Sequence, residues 1–118
     1  MTHRRSALAL AAVAALACAA PAVAGGAKSK TVRVGDNFFA PDEVTVAKGG
    51  SVTWKWPSDV AIDVHDVKLK SGPKGVRKFH SEPASSGYRY KRTFKKAGTY
   101  RIVCTLHEEM KMTIKVKR

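Results

Sequence analysis

Cys104, His107 and Met110 stand three residues apart in the run Cys104-Thr105-Leu106-His107-Glu108-Glu109-Met110. A thiolate, an imidazole and a thioether so placed are metal donors. Soft sulfur together with imidazole selects copper, and two imidazoles, one thiolate and a weak axial thioether make the donor set of electron-transfer copper sites. That set compromises between the preferences of Cu(I) and Cu(II), so little has to move when the electron does. A cysteine ending one strand and a methionine in the next can reach one ion if the loop between them folds back with the histidine halfway round.

One imidazole is still missing. His65, flanked by Val64 and Val67 at an irregular point of a candidate strand, is the best supplier. His80 lies between Lys78 and Glu82 in a loop containing Gly and Pro, where a solvated histidine is the ordinary outcome, and His3 falls in the leader described below. Met110 and Met112 share one strand face and cannot both be axial. Taking Met110 leaves Met112, Ile114 and Val116 as three inward positions in the last strand. Met110 is therefore favoured, and Met112 becomes core, the usual fate of a strand methionine.

The elements that position these donors read as strands. Apolar residues recur with period two in short runs separated by turn residues, the pattern of strands with one buried face. Residues 31–34 form one run, and Val44 and Val46 a second. Lys48-Gly49-Gly50 then turns the chain into Val52, Trp54 and Trp56, whose tryptophans are expected to face inward together. Residues 62–69 fit a fourth strand with a bend near His65, where the apolar parity changes. Residues 71–87 read as a long loop, and a connection of that length implies local structure or a role. Tyr88, Tyr90 and Phe94 follow; Tyr100, Ile102 and Cys104 share a face, and Met110, Met112, Ile114 and Val116 complete the series. The expected fold is all-β, a Greek-key β-sandwich of about seven to eight strands.

Residues 1–24 read as a cleaved signal peptide, with Arg4 and Arg5 ahead of an Ala-rich apolar run that ends in Ala22-Val23-Ala24. A twin-arginine signal and a lipidated Cys18 are the competing readings. Residues 25–30 are expected as a flexible tail and residues 31–118 as one domain. With Cys18 gone, Cys104 is a single exported thiol in a compartment where thiols usually pair, so it needs either burial or a metal. The chain carries 22 Lys and Arg against 9 Asp and Glu, and loss of Arg4 and Arg5 still leaves a net charge of +11. Nucleic acid is the reflex partner for such a balance. These lysines, however, are spread singly along strands and loops, which suits an acidic redox partner or an anionic envelope surface better.

The chain resembles the cupredoxins, in particular the small plastocyanin-like and amicyanin-like proteins. The resemblance rests on Phe39-Ala-Pro41, Val44-Thr-Val46, Gly49-Gly50 and Val52-Thr-Trp54, on Val64-His65-Asp66-Val67, and on the closing run from Gly98 and Tyr100 through Cys104, His107 and Met110. It implies one copper ion cycling between Cu(I) and Cu(II), held by His65, Cys104, His107 and Met110. It also implies a monomeric electron carrier, periplasmic or extracellular and not an enzyme, passing electrons to redox proteins through the ring of His107. Phe38, Phe39 and Pro41 are candidates for an apolar patch around that ring. Asp66 stands where relatives often carry Asn, and as an acceptor it is expected to bind Thr105. Copper capture or delivery with the same ligands is the alternative function.

Overall fold

In a computed structural model, residues 26–118 are described. The leader, its Cys18 and the cleavage site at Ala24 lie outside the described residues. The described chain contains seven strands: β1 (Ala27–Gly35), β2 (Phe38–Ala40), β3 (Glu43–Lys55), β4 (Lys68–Ser71), β5 (Arg89–Thr93), β6 (Gly98–Cys104) and β7 (His107–Lys117). No helix occurs among these residues. The architecture is the all-β sandwich expected.

The two halves of β3 have different partners, and that makes two layers from one connected sheet. Residues 43–47 pair in parallel with β7, from Glu43↔Thr113 to Ala47↔Lys117. Residues 51–55 pair with β1 on one side and β5 on the other, and β1 reaches the first half of β3 only through Ala27↔Val46. The change falls at Gly49 and Gly50. Gly49 has φ 86°, a conformation that side chains other than Gly rarely adopt, and a Cβ on Gly50 would lie 2.8 Å from the Ala47 carbonyl oxygen. β2 extends the first layer through β1, while β7, β6 and β4 build the second.

Alternation along the strands fills the space between the layers. Val32, Val34, Val46, Val52, Trp54, Ile102 and Ile114 are all fully buried, and Trp56 joins Trp54 inside. The aromatic residues interlock: Phe94 meets Tyr100 edge-on at 4.8 Å, and Trp56 meets Tyr88 at 4.9 Å.

Three expectations need correction. Residues 27–30 are not a tail but the start of β1, with Ser29↔Ser51 and Lys30↔Val52 paired. The side chains of residues 28–30 are exposed, so the strand is held there by backbone pairing that leaves no apolar alternation to read. The two runs around Gly49 belong to one continuous strand. The strand expected over residues 62–69 is reduced to β4 at its end; His65 makes only an isolated bridge with Ala84. There the chain leaves the ladder and turns its backbone toward the long loop, with His65 N–H donating to Ala84 O and Ala84 N–H returning the bond, both at 3.0 Å.

Candidate metal centre

The irregular His65 segment, the β6–β7 hairpin and the β1–β2 turn meet at one end of the sandwich. β6 and β7 are joined by the two residues Thr105 and Leu106, which closes Cys104 against His107 as a pair. The register then shifts. Val103 faces Lys111 and Ile102 faces Met112, so residues 108–110 are absorbed by a bulge beside Cys104. This irregularity folds the loop back so that Cys104 and His107 turn toward the same point.

His65, Cys104 and His107 are brought together there: one donor atom from each lies within 4.8 Å of the others. The His65 and His107 Nδ1 atoms are 3.1 Å apart, and Cys104 Sγ is 3.9 Å from the first and 3.7 Å from the second. An ion with bonds of about 2.0–2.1 Å to nitrogen and 2.3 Å to sulfur, lying flat among three such donors, needs separations of about 3.6 Å (N–N) and 3.8 Å (N–S). The three donors are spaced so that they would hold one metal ion. Its chemistry, two imidazoles and a thiolate, suits copper.

Met110 is fully buried and lies in the bulge between the Cys104↔His107 and Val103↔Lys111 pairs. Met112 is occupied elsewhere. Trp54 Nε1 donates to its sulfur at 3.2 Å inside the core, one inward position farther from the cluster.

Carboxylates hold the donors from behind. Asp36, in the two-residue turn between β1 and β2, accepts from His65 Nε2 at 3.1 Å and from the Asp63 backbone N–H at 2.8 Å. With its proton on Nε2, His65 would have its Nδ1 lone pair free for an ion. The His65 hydrogen bond is the main cause of a depressed Asp36 carboxyl, with the Asp63 N–H adding to it. Nothing in the sequence links Asp36 to His65; their contact depends on the β1–β2 turn reaching the site.

Asp66 is the second. Buried at 3% exposure, it accepts from the Thr105 backbone N–H at 2.7 Å, from the Thr105 hydroxyl, and from His80 Nε2 at 2.7 Å. Burial pushes its carboxyl up, but the bonds from the Thr105 hydroxyl, His80 and the Thr105 N–H outweigh this and leave it below the ordinary value. The expected Thr105 contact is present, and His80, solvent-exposed as expected, also bonds to Asp66. Burial is the largest influence on Cys104, whose thiol is raised although backbone N–H groups of Asp66 and Leu106 favour the thiolate.

Two large apolar side chains stand exposed beside the ligand-bearing positions, Leu106 at 53% and Val64 at 47%. Of the aromatic candidates, Phe39 is core, whereas Phe38 is 42% exposed. His107 itself is partly exposed. On the flank, Lys68, Lys70 and Lys78 line a cleft of about 480 Å³ together with Val103, Cys104, Thr105 and Glu108.

Residues 26–117 match the plastocyanin/azurin family of copper binding proteins. The chain is 35% identical to amicyanin-alpha of Methylorubrum extorquens, an alignment covering 94% of this chain and 98% of that one. The crystal structure of amicyanin from Paracoccus versutus superposes with a TM-score of 0.65 at 28% identity, over 77% of this chain and 83% of that one. The copper-containing nitrite reductase of Thermus scotoductus SA-01 also superposes, with a TM-score of 0.63 at 28% identity; this covers 75% of the present chain but only 22% of the reductase.

Proposed function

Because the chain belongs to the plastocyanin/azurin family of copper-binding proteins, we propose that His65, Cys104, His107 and Met110 hold the copper of this blue copper electron carrier. The observation that carries the assignment is the convergence of two imidazole nitrogens and a thiol sulfur within 4.8 Å of one another. Met110 would supply the thioether donor, because the Met112 sulfur is engaged by Trp54. When bound, copper supplies a one-electron Cu(I)/Cu(II) couple.

The protein's own groups prepare the site. Cys104 gives up its thiol proton on binding, since only the thiolate is a ligand. Asp36 keeps the His65 ring in one tautomer and orientation. The buried Asp66 ties the His65 segment to the Cys104–His107 hairpin through Thr105. Leu106 and Val64 cover the donors with apolar surface that a partner can displace water from, and the partly exposed ring of His107 gives the shortest way out for the electron.

The partner reading follows from charge. Lys68, Lys70 and Lys78 are exposed, and none forms an ion pair among the described residues. An acidic redox protein docked over Leu106 and Val64 would be steered by these charges into the cleft beside Cys104. Export through a leader in residues 1–24, to the periplasm or beyond, and a monomeric state belong to the same proposal. The nitrite reductase likeness covers one sandwich of a much longer chain and brings no activity with it.

Copper titration followed by repeated reduction and reoxidation tests the function. One equivalent is expected to give an intense visible band that bleaches on uptake of one electron, returns on oxidation, and survives many cycles with copper retained. Rapid loss of Cu(I) to a competing chelator on each cycle would favour delivery instead of transfer.

A further inference from the structure

The half-exposed His80 has no place among the ligands, yet it is bonded to a buried carboxylate that adjoins one. Its Nε2 lies 2.7 Å from Asp66 Oδ2, the oxygen that also accepts the Thr105 hydroxyl, while Oδ1 takes the Thr105 N–H. Three separate segments therefore close on one carboxylate: the long loop through His80, the His65 segment through Asp66, and the ligand hairpin through Thr105. Asp66 directly follows one proposed ligand, and Thr105 directly follows another.

The loop does not depend on His80 for its position. Leu69 N–H donates to Phe79 O at 3.0 Å, Ser81 N–H to Val67 O at 2.8 Å, and Val67 N–H to Ser81 Oγ at 2.8 Å. Phe79 and Ser81, on either side of His80, are both buried. An imidazole held so firmly over a buried acid has an electrostatic consequence. A carboxylate close to a metal favours the more positive oxidation state, and each hydrogen bond it accepts spreads its charge and weakens that effect.

We propose that His80 is a positioning residue for the copper centre, which acts through Asp66 to hold Thr105 in place and to raise the reduction potential by screening the carboxylate. The inference rests on the ligand assignment given above. It gives residues 72–87 a role in setting the site's driving force. It also explains how an acid can stand beside the thiolate ligand: His80 and Thr105 together occupy its oxygens.

The test is the reduction potential of copper-loaded H80A, H80N and H80Q, read with the visible spectrum, and of D66N with and without H80A. A glutamine amide reaches where His80 Nε2 lies, whereas asparagine falls short. H80A and H80N are expected to lower the equilibrium constant for reduction by a reference couple about threefold to tenfold, tenfold being about 59 mV for one electron, and H80Q to recover most of the loss. D66N is expected to raise the potential, and adding H80A to D66N to change nothing further. Thermal melting of the copper-free variants reports folding separately; should H80A not fold, the H80N and H80Q pair carries the comparison. Equal potentials in wild type, H80N and H80A, or an H80A shift that persists undiminished in D66N, would overturn the proposal. A wild-type protein without a thiolate-to-copper band would instead remove the ligand assignment on which it rests.

Discussion

Replacing each strand methionine by leucine separates two roles that composition alone cannot distinguish. Met112 Sδ accepts the indole N–H of Trp54 at 3.2 Å, and Trp54 is fully buried. Met112→Leu conserves volume, a change that costs less than about 1.5 kcal/mol by itself. It also strands a buried donor, at about 1–3 kcal/mol. A combined loss of about 2–3 kcal/mol corresponds to a Tm on the order of 10–20 °C lower for a domain of this size. Met110→Leu removes no such bond, so the copper-free protein should lose less than about 1.5 kcal/mol. With copper bound the order reverses: Met110→Leu is expected to shift the absorption spectrum and the potential, and Met112→Leu to leave both near wild type. Calorimetry of the copper-free variants and spectra of the loaded ones form the assay. If Met112→Leu alters the copper spectrum while Met110→Leu does not, the β7 register argument is wrong.

Other consequences follow from the same contacts. Asp66 is held below its unfolded carboxyl value, as is Asp36; the stability these groups contribute is present above about pH 4 and lost as pH falls through their lower folded values. Acid melting of the copper-free protein should show this, with D66N less steep than wild type. The Cys104 thiol is raised by burial, so its contribution to copper-free stability is present below about pH 8.5 and is lost as pH rises through its higher folded value. For the same reason copper affinity should rise about tenfold per pH unit between pH 7 and 8 as one thiol proton is displaced, which competition titration measures. Asp36→Ala frees His65 Nε2 and should weaken copper binding about 10- to 100-fold, the usual cost of losing a partner behind a metal ligand. Charge reversal at Lys68, Lys70 and Lys78 should slow electron transfer with an acidic partner at low salt, and the difference should shrink as ionic strength shortens the Debye length to about 8 Å near 0.15 M; stopped-flow kinetics over a salt series checks this.

The parts of the structure that were legible in the sequence are those where side-chain pattern and backbone agree. Tyr100, Ile102 and Cys104 alternate because β6 has one buried face, and Met110 through Val116 do so for the same reason in β7. The Cys-x-x-His-x-x-Met spacing was readable because a two-residue hairpin with a bulge is a local structure. Where backbone pairing acts without burial, the pattern is silent: residues 28–30 belong to a strand yet have exposed side chains. Long-range polar contacts were the least readable. Asp36 and His65 are 29 positions apart, and His80 looked like a solvated loop histidine because its partner lies on a different segment. The parity change near His65 did mark a real departure from the ladder. It could not say that Ala84 would be the partner across it.

X-ray absorption at the copper edge, on protein loaded with one equivalent, reports the atoms bonded to the metal. Two nitrogen neighbours and one short sulfur are expected, with the sulfur contribution and the visible colour both absent from Cys104→Ser. A wild-type spectrum that fits nitrogen and oxygen neighbours alone, or one unchanged in Cys104→Ser, would contradict a copper centre built on residues 65, 104 and 107.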